Sequence, residues 1–151
     1  SFNYNARFIE LASEINTNMP RYVVNRLLEA MNDLGKTLKN SKVLVLGVAY
    51  KPEIDDVRES PALDVIGLLR KKGALVEYHD PYIPHVHHEY DDWHMDSVKD
   101  MMKSVKEADA VVVVTDHKVY DYKTIIESAK FVFDSRNATG KLGKFANVER
   151  L

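Results

Sequence analysis

Two cations stand where a parallel sheet would offer them to an anion. Lys51 follows the apolar run at 43–46 (VLVL), and Arg136 follows the run at 131–133. If both runs are strands, their carboxyl ends share one edge, the place where open α/β sheets bind ligands. A phosphate or a sugar acid suits such a pair, because arginine presents a planar fork and lysine a compact charge. The competing reading is that each cation is held in an ion pair with Asp55, Asp116 or Asp134. Position alone leaves both open.

Other residues invite chemistry and mostly fail its requirements. Asp55 and Asp56 are adjacent carboxylates of the kind used in acid–base work. They sit in the charged stretch 51–59 (KPEIDDVRE), which reads as a solvated loop leading into a capped helix. His79, His85, His87, His88 and His94 crowd one segment, and histidine is the commonest metal ligand. They lack helical i, i+4 spacing, and with no cysteine to complete a tetrahedral set no metal site is expected. The segment reads as a polar surface loop of weak incidental metal affinity, with Trp93 as a packing anchor. Asp116-His117 has no nucleophile beside it, so hydrolase chemistry scores low. The absence of cysteine excludes a disulfide framework, a thiolate metal site and a cysteine nucleophile within these residues. The turn Gly47-Val48-Ala49-Tyr50-Lys51 carries one glycine where a dinucleotide-binding turn reads G-x-G-x-x-G, so NAD is not expected at this turn.

These residues need elements to hold them, and the pattern supplies an alternation of strand and helix. Phe8, Leu11, Ala12, Ile15, Met19, Val23, Leu27, Met31 and Leu34 recur at helical spacing. Pro20 interrupts them: either Asn18 caps a new helix, or one long helix kinks there. Such a helix packs on its own domain or extends to a subunit interface. Strands are predicted at 43–46, 75–78, 110–114 and 131–133, with 147–151 available as a short edge strand. Between them, Ser60 caps a helix that has Pro61 in its first position and ends near Gly73. Val98, Met101, Met102 and Val105 mark another, and Asp121 caps a third carrying Ile125 and Ile126. The fold class is therefore α/β: a Rossmann-like parallel sheet with helices on both faces, its first strand central, preceded by a long N-terminal helix. Residues 1–40 form the helical lead and 41–151 the sheet domain.

The bulk properties agree with one ordinary globular domain of 151 residues, 45% hydrophobic and 29% charged. A formal net charge of −2 gives no reason to expect a nucleic-acid partner. No apolar run approaches the ~20 residues of a membrane span. The chain opens on Ser1 rather than Met, which reads as a boundary with sequence upstream.

The motifs also carry a family likeness. Gly47-Val48-Ala49-Tyr50-Lys51-Pro52, then Asp55-Asp56-Val57-Arg58-Glu59-Ser60-Pro61-Ala62, resembles the stretch that opens the C-terminal domain of UDP-glucose/GDP-mannose dehydrogenases. The likeness continues in order through Tyr78-His79-Asp80-Pro81-Tyr82, Ala108-Asp109-Ala110, Thr115-Asp116-His117 and Asp134-Ser135-Arg136-Asn137. The opening helix is similar to the one that links the two domains of that family and builds its dimer. The resemblance implies a UDP-sugar-binding domain of an NAD-dependent nucleotide-sugar 6-dehydrogenase, which oxidises a C6 alcohol to a carboxylate. It implies that NAD and the catalytic cysteine belong to an N-terminal domain outside these residues, leaving no catalytic residue here and no activity for this portion alone. Tyr50, Lys51 and Arg136 are implied to bind the sugar nucleotide, and Arg58 to reach towards NAD. Tyr50 replaces the phenylalanine of many relatives. The implied sugars are UDP-N-acetylglucosamine, then UDP-N-acetylmannosamine, then UDP-glucose. A cytoplasmic homodimer serving polysaccharide synthesis follows from the same likeness. The alternative is a non-catalytic nucleotide-sugar-binding or oligomerisation module.

Overall fold

A computed structural model describes residues 2–53, 57, 60–88 and 91–151, with side chains from residue 18 onward. The described α-helices and strands are α1 (Phe2–Asp33), β1 (Lys42–Leu46), α2 (Pro61–Lys71), β2 (Leu75–His79), β3 (His85–His88), β4 (Trp93–Asp96), α3 (Met101–Glu107), β5 (Ala110–Val113), α4 (Tyr122–Ser128), β6 (Val132–Asp134) and β7 (Val148–Arg150), with a 3-10 turn at Gly140–Leu142. Five strands form a parallel sheet in the order β2-β1-β5-β6-β7. β3 and β4 form a separate antiparallel hairpin.

Alternation along the strands divides the core into two layers, because successive side chains point to opposite faces. Val43, Val45, Ala110, Val112 and Phe133 face a cluster made with Val23, Val24, Leu27 and Met31 of α1, with Ile66 and Leu69 of α2, and with Val86 and Trp93 of the hairpin. Leu44, Leu46, Val111, Val113 and Val132 face the opposite cluster, which includes Val105 of α3 and Ile125 and Ile126 of α4. Each fully buried Leu or Ile contributes about 1.5–3 kcal/mol relative to its exposed state. The sheet is thus covered on both sides, as the near-continuous apolar strands require.

α1 runs unbroken through Pro20 to Asp33, which decides for one long helix over a fresh start at Asn18. Its described C-terminal half packs on this domain's own core. α2 begins with Pro61 behind Ser60, whose side chain accepts from Ala62 N–H. Asp121 caps α4 by accepting from Thr124 N–H. Two expectations change. The first strand is interior but not central: β7 adds beyond β6 and moves the middle of the sheet to β5. The histidine-rich segment is a hairpin rather than a loop. Lys42 and Asp109 close the head of the β1–β5 pair reciprocally: Lys42 N–H donates to the Asp109 carboxylate at 2.9 Å, and Asp109 N–H to the Lys42 carbonyl at 2.8 Å.

Candidate functional site at the strand carboxyl ends

The strand order reverses at β1: its first crossover leads to β2 on one side, and the chain then returns to add β5 on the other. This is the switch point at which an open α/β sheet leaves a crevice. The loops after β1 and β5 flank it. A buried polar hub binds them together. Asp80, just past β2, is 3% exposed. Its Oδ2 accepts from Val48 N–H (2.8 Å), Ala49 N–H (3.0 Å) and His117 Nε2 (2.8 Å). Its Oδ1 accepts from Tyr82 N–H at 2.8 Å. Charge-assisted bonds of this kind are about twice as strong as neutral ones, and they satisfy a buried carboxylate that would otherwise be costly.

His117 carries the chain of bonds onward. Its Nδ1 accepts from Glu53 N–H at 2.9 Å, which fixes the ring as the Nε2–H tautomer that donates to Asp80. Thr115 Oγ1 donates to the Ala49 carbonyl at 2.8 Å, and Lys118 N–H to Glu53 Oε1 at 2.8 Å. Gly47 allows this closeness: its φ is +86°, and a Cβ there would stand 2.5 Å from Thr115 Cβ. Beside the hub, Tyr120 O–H donates to the His79 carbonyl at 2.8 Å, which leaves its oxygen to accept from His79 Nδ1–H at 3.0 Å. Burial lowers the His79 pKa below its ordinary value, an effect that Asp80 opposes and His117 adds to. Burial also raises the Tyr120 pKa, with the Asp80 charge as the second cause.

The loop so held presents Tyr50 and Lys51 at the surface, with Lys51 Nζ 5.5 Å from the centre of the Tyr50 ring. Arg136 is also exposed and follows β6. Its loop is built by Asp134, whose carboxylate accepts from Arg136 N–H, Ala138 N–H, Thr139 N–H and Thr139 Oγ1 at 2.6–3.0 Å. One strand, β5, separates β1 from β6, so the strands that lead into the two loops run about 9–10 Å apart. Neither cation forms an ion pair with a described residue. Asp116 accepts instead from Tyr122 O–H at 2.9 Å, and Asp134 is saturated by its own loop. Asp55, Asp56 and Arg58 lie outside the described residues.

Two clefts lie elsewhere. One of about 640 Å³ opens at the amino-terminal edge of the sheet, lined by Lys42, Arg70, Glu77 and Glu107 among others. Another of about 490 Å³ runs between α1, α2 and the hairpin, beside Arg21, Asp64, Lys71 and His88. Neither lies at the strand carboxyl ends, where the loop cations stand. Asp116 and His117 do not form a dyad, since they engage different partners. The hub formed by Asp80, Thr115 and His117 does not follow from sequence pattern, although the HDP and TDH tripeptides at two strand ends are its visible trace.

The UDP-glucose/GDP-mannose dehydrogenase family, UDP binding domain, matches residues 44–141. The chain belongs to this family. It is 35% identical over 143 residues to a UDP-N-acetyl-D-mannosamine dehydrogenase of Methanococcus maripaludis, covering 88% of this chain but 31% of that protein. It is similar to the crystal structure of an NDP-N-acetyl-D-galactosaminuronic acid dehydrogenase from Methanosarcina mazei, with a TM-score of 0.73 and 30% identity over 93% of this chain and 30% of that one. The native structure of the UDP-N-acetyl-mannosamine dehydrogenase from Staphylococcus aureus matches with a TM-score of 0.70 and 30% identity, over 97% of this chain and 33% of that one. The chain therefore spans about a third of the length of these relatives. Among the described residues, no helix is long and apolar enough to cross a membrane.

Proposed function

We propose that this chain is the sugar-nucleotide-binding part of an NAD-dependent UDP-N-acetylhexosamine 6-dehydrogenase, and that Tyr50, Lys51 and Arg136 grip the UDP-sugar. The observation that carries the reading is the pair of exposed loop cations on one sheet edge, neither held by a described carboxylate. The activities for which these relatives are named favour UDP-N-acetyl-D-mannosamine over the glucosamine epimer as the first sugar to test. The same reading makes residues 1–40 a linking helix of a homodimer, 41–151 the binding domain, and the cytoplasm its location. Arg58 is assigned to the NAD side of the cleft.

The β1 turn does not fit NAD. The amides that a dinucleotide fold turns towards a pyrophosphate are here spent on Asp80, by Val48 and Ala49. The residues present thus provide no pyrophosphate cradle at this turn, and NAD is assigned to the N-terminal domain. The same commitment leaves the UDP phosphates to side chains, which concentrates the recognition energy on Lys51 and Arg136. Calorimetry with UDP-N-acetyl-D-mannosamine on the full-length protein and its Arg136→Ala variant tests this. Loss of a charge-assisted bond is expected to weaken binding by about 1.5–3 kcal/mol. Unchanged affinity would remove Arg136 from the site, and no binding by the folded parent protein to any UDP-sugar would defeat the proposal.

A further inference from the structure

The hairpin sorts its side chains cleanly. Register pairs His85 with Asp96, Val86 with Met95, His87 with His94, and His88 with Trp93. Val86 and Trp93 therefore enter the core, while His85, His87, His94 and Asp96 face outward. His87 and His94 stand directly opposite each other, with ring centres 4.1 Å apart and planes parallel. Asp92 precedes β4 with a φ of 49°, and this left-handed turn brings its carboxylate back over the pair. Asp92 Oδ1 lies 2.9 Å from His87 Nε2 and 3.8 Å from His94 Nε2. The three ligand atoms all lie within 4.8 Å of one another.

A tetrahedral zinc ion with Zn–N and Zn–O bonds of about 2.0–2.1 Å holds its ligand atoms about 3.3–3.4 Å apart. The two distances from Asp92 bracket that value; the stacked rings must unstack by turning about χ2 so that both Nε2 lone pairs aim at one ion, which then replaces the His87–Asp92 hydrogen bond, and the exposure of all three side chains leaves room for that turn. Two imidazoles and one carboxylate are ligands that zinc accepts, and a coordination position stays open to water. The histidines are one pair across a ladder rather than neighbours along a helix, which is why helical spacing gives no warning of them.

We propose that the outer face of this hairpin binds one borderline divalent cation through His87 Nε2, His94 Nε2 and Asp92 Oδ1, separately from the sugar-nucleotide site. Bound metal bridges both strands at the turn end and secures the segment that places Trp93 and Val86 in the core. Since the three groups converge only when the strands are paired, the ion binds the folded hairpin and raises its stability.

Zinc titrated into the tag-free, metal-stripped chain is the test, followed by calorimetry and by the imidazole signals in NMR. The expected result is a single equivalent bound, a higher Tm, and shifts of the His87 and His94 rings with those of His79 and His117 unmoved. His87→Asn with His94→Asn should weaken binding by more than about tenfold, since even outer-shell partners of metal ligands are worth 10–100-fold. Trp93 fluorescence would verify that the double variant keeps its hairpin, and Asp92→Asn alone, which leaves both strands intact, should also weaken binding. Zinc uptake equal in the double variant and the parent, or no uptake by the parent, would overturn the proposal.

Discussion

Asp80 does at the residue scale what several side chains would otherwise share. It receives four N–H groups from three segments: the β1 loop, its own turn and the loop after β5. Truncation to alanine leaves those donors buried and without acceptors, a larger loss than any single bond among them. Asp80→Ala is expected to lower unfolding free energy by about 3–5 kcal/mol, as for other broken buried charged networks. Urea denaturation of parent and variant measures it, and a loss under about 1 kcal/mol would mean that the hub is replaceable by solvent. Asp80 and His117 are each visible in the sequence beside a strand end, but their union is not. They are 37 positions apart, and only the placement of β1 between β2 and β5 brings them together. Lys51 and Arg136 are easier to find, because a strand-end position depends on local pattern alone.

Elements whose identity rests on period and punctuation are legible in the sequence alone. The run VLVL, the Ser60-Pro61 start and the Asp121 cap each carry a local mechanism, and each forms as expected. The hairpin is not legible there, because four-residue strands reading HVHH and WHMD offer too few alternations to tell a strand from a polar loop. The β1 loop provides the sharpest test at this scale. Gly47 and Gly35 both have positive φ, but a Cβ on Gly35 meets nothing within 4 Å, whereas one on Gly47 meets Thr115 at 2.5 Å. Gly35→Ala therefore isolates the dihedral cost, about 1–2 kcal/mol. Gly47→Ala adds a collision with Thr115 and is expected to cost more, by at least about 1 kcal/mol. Thermal unfolding of the two variants compares them; equal losses would show that the loop yields without strain.

At the scale of the whole molecule, 21 cations and 23 anions nearly balance, and six histidines change that balance as the pH falls. His79 gives the change a direction. Burial holds its folded pKa below the ordinary 6.5, so the unfolded chain takes up this proton first. Its contribution to stability is intact above about pH 6.5 and declines as the pH falls towards the lower folded value. Denaturant midpoints at about pH 7 and pH 5.5 should fall in the parent and fall less in His79→Gln; parallel declines would place the acid sensitivity elsewhere. The sheet order has a further consequence, seen through the bonds between Lys42 and Asp109, 67 residues apart. A nascent chain can lay β2 against β1 early, but the other edge of β1 must wait until β5 has left the ribosome. Throughout that interval the VLVL strand offers a naked hydrogen-bonding edge and one uncovered apolar face, the kind of surface that invites aggregation and that chaperones shield. Translation pausing before residue 110 should therefore lengthen the period in which this chain is most prone to misassemble.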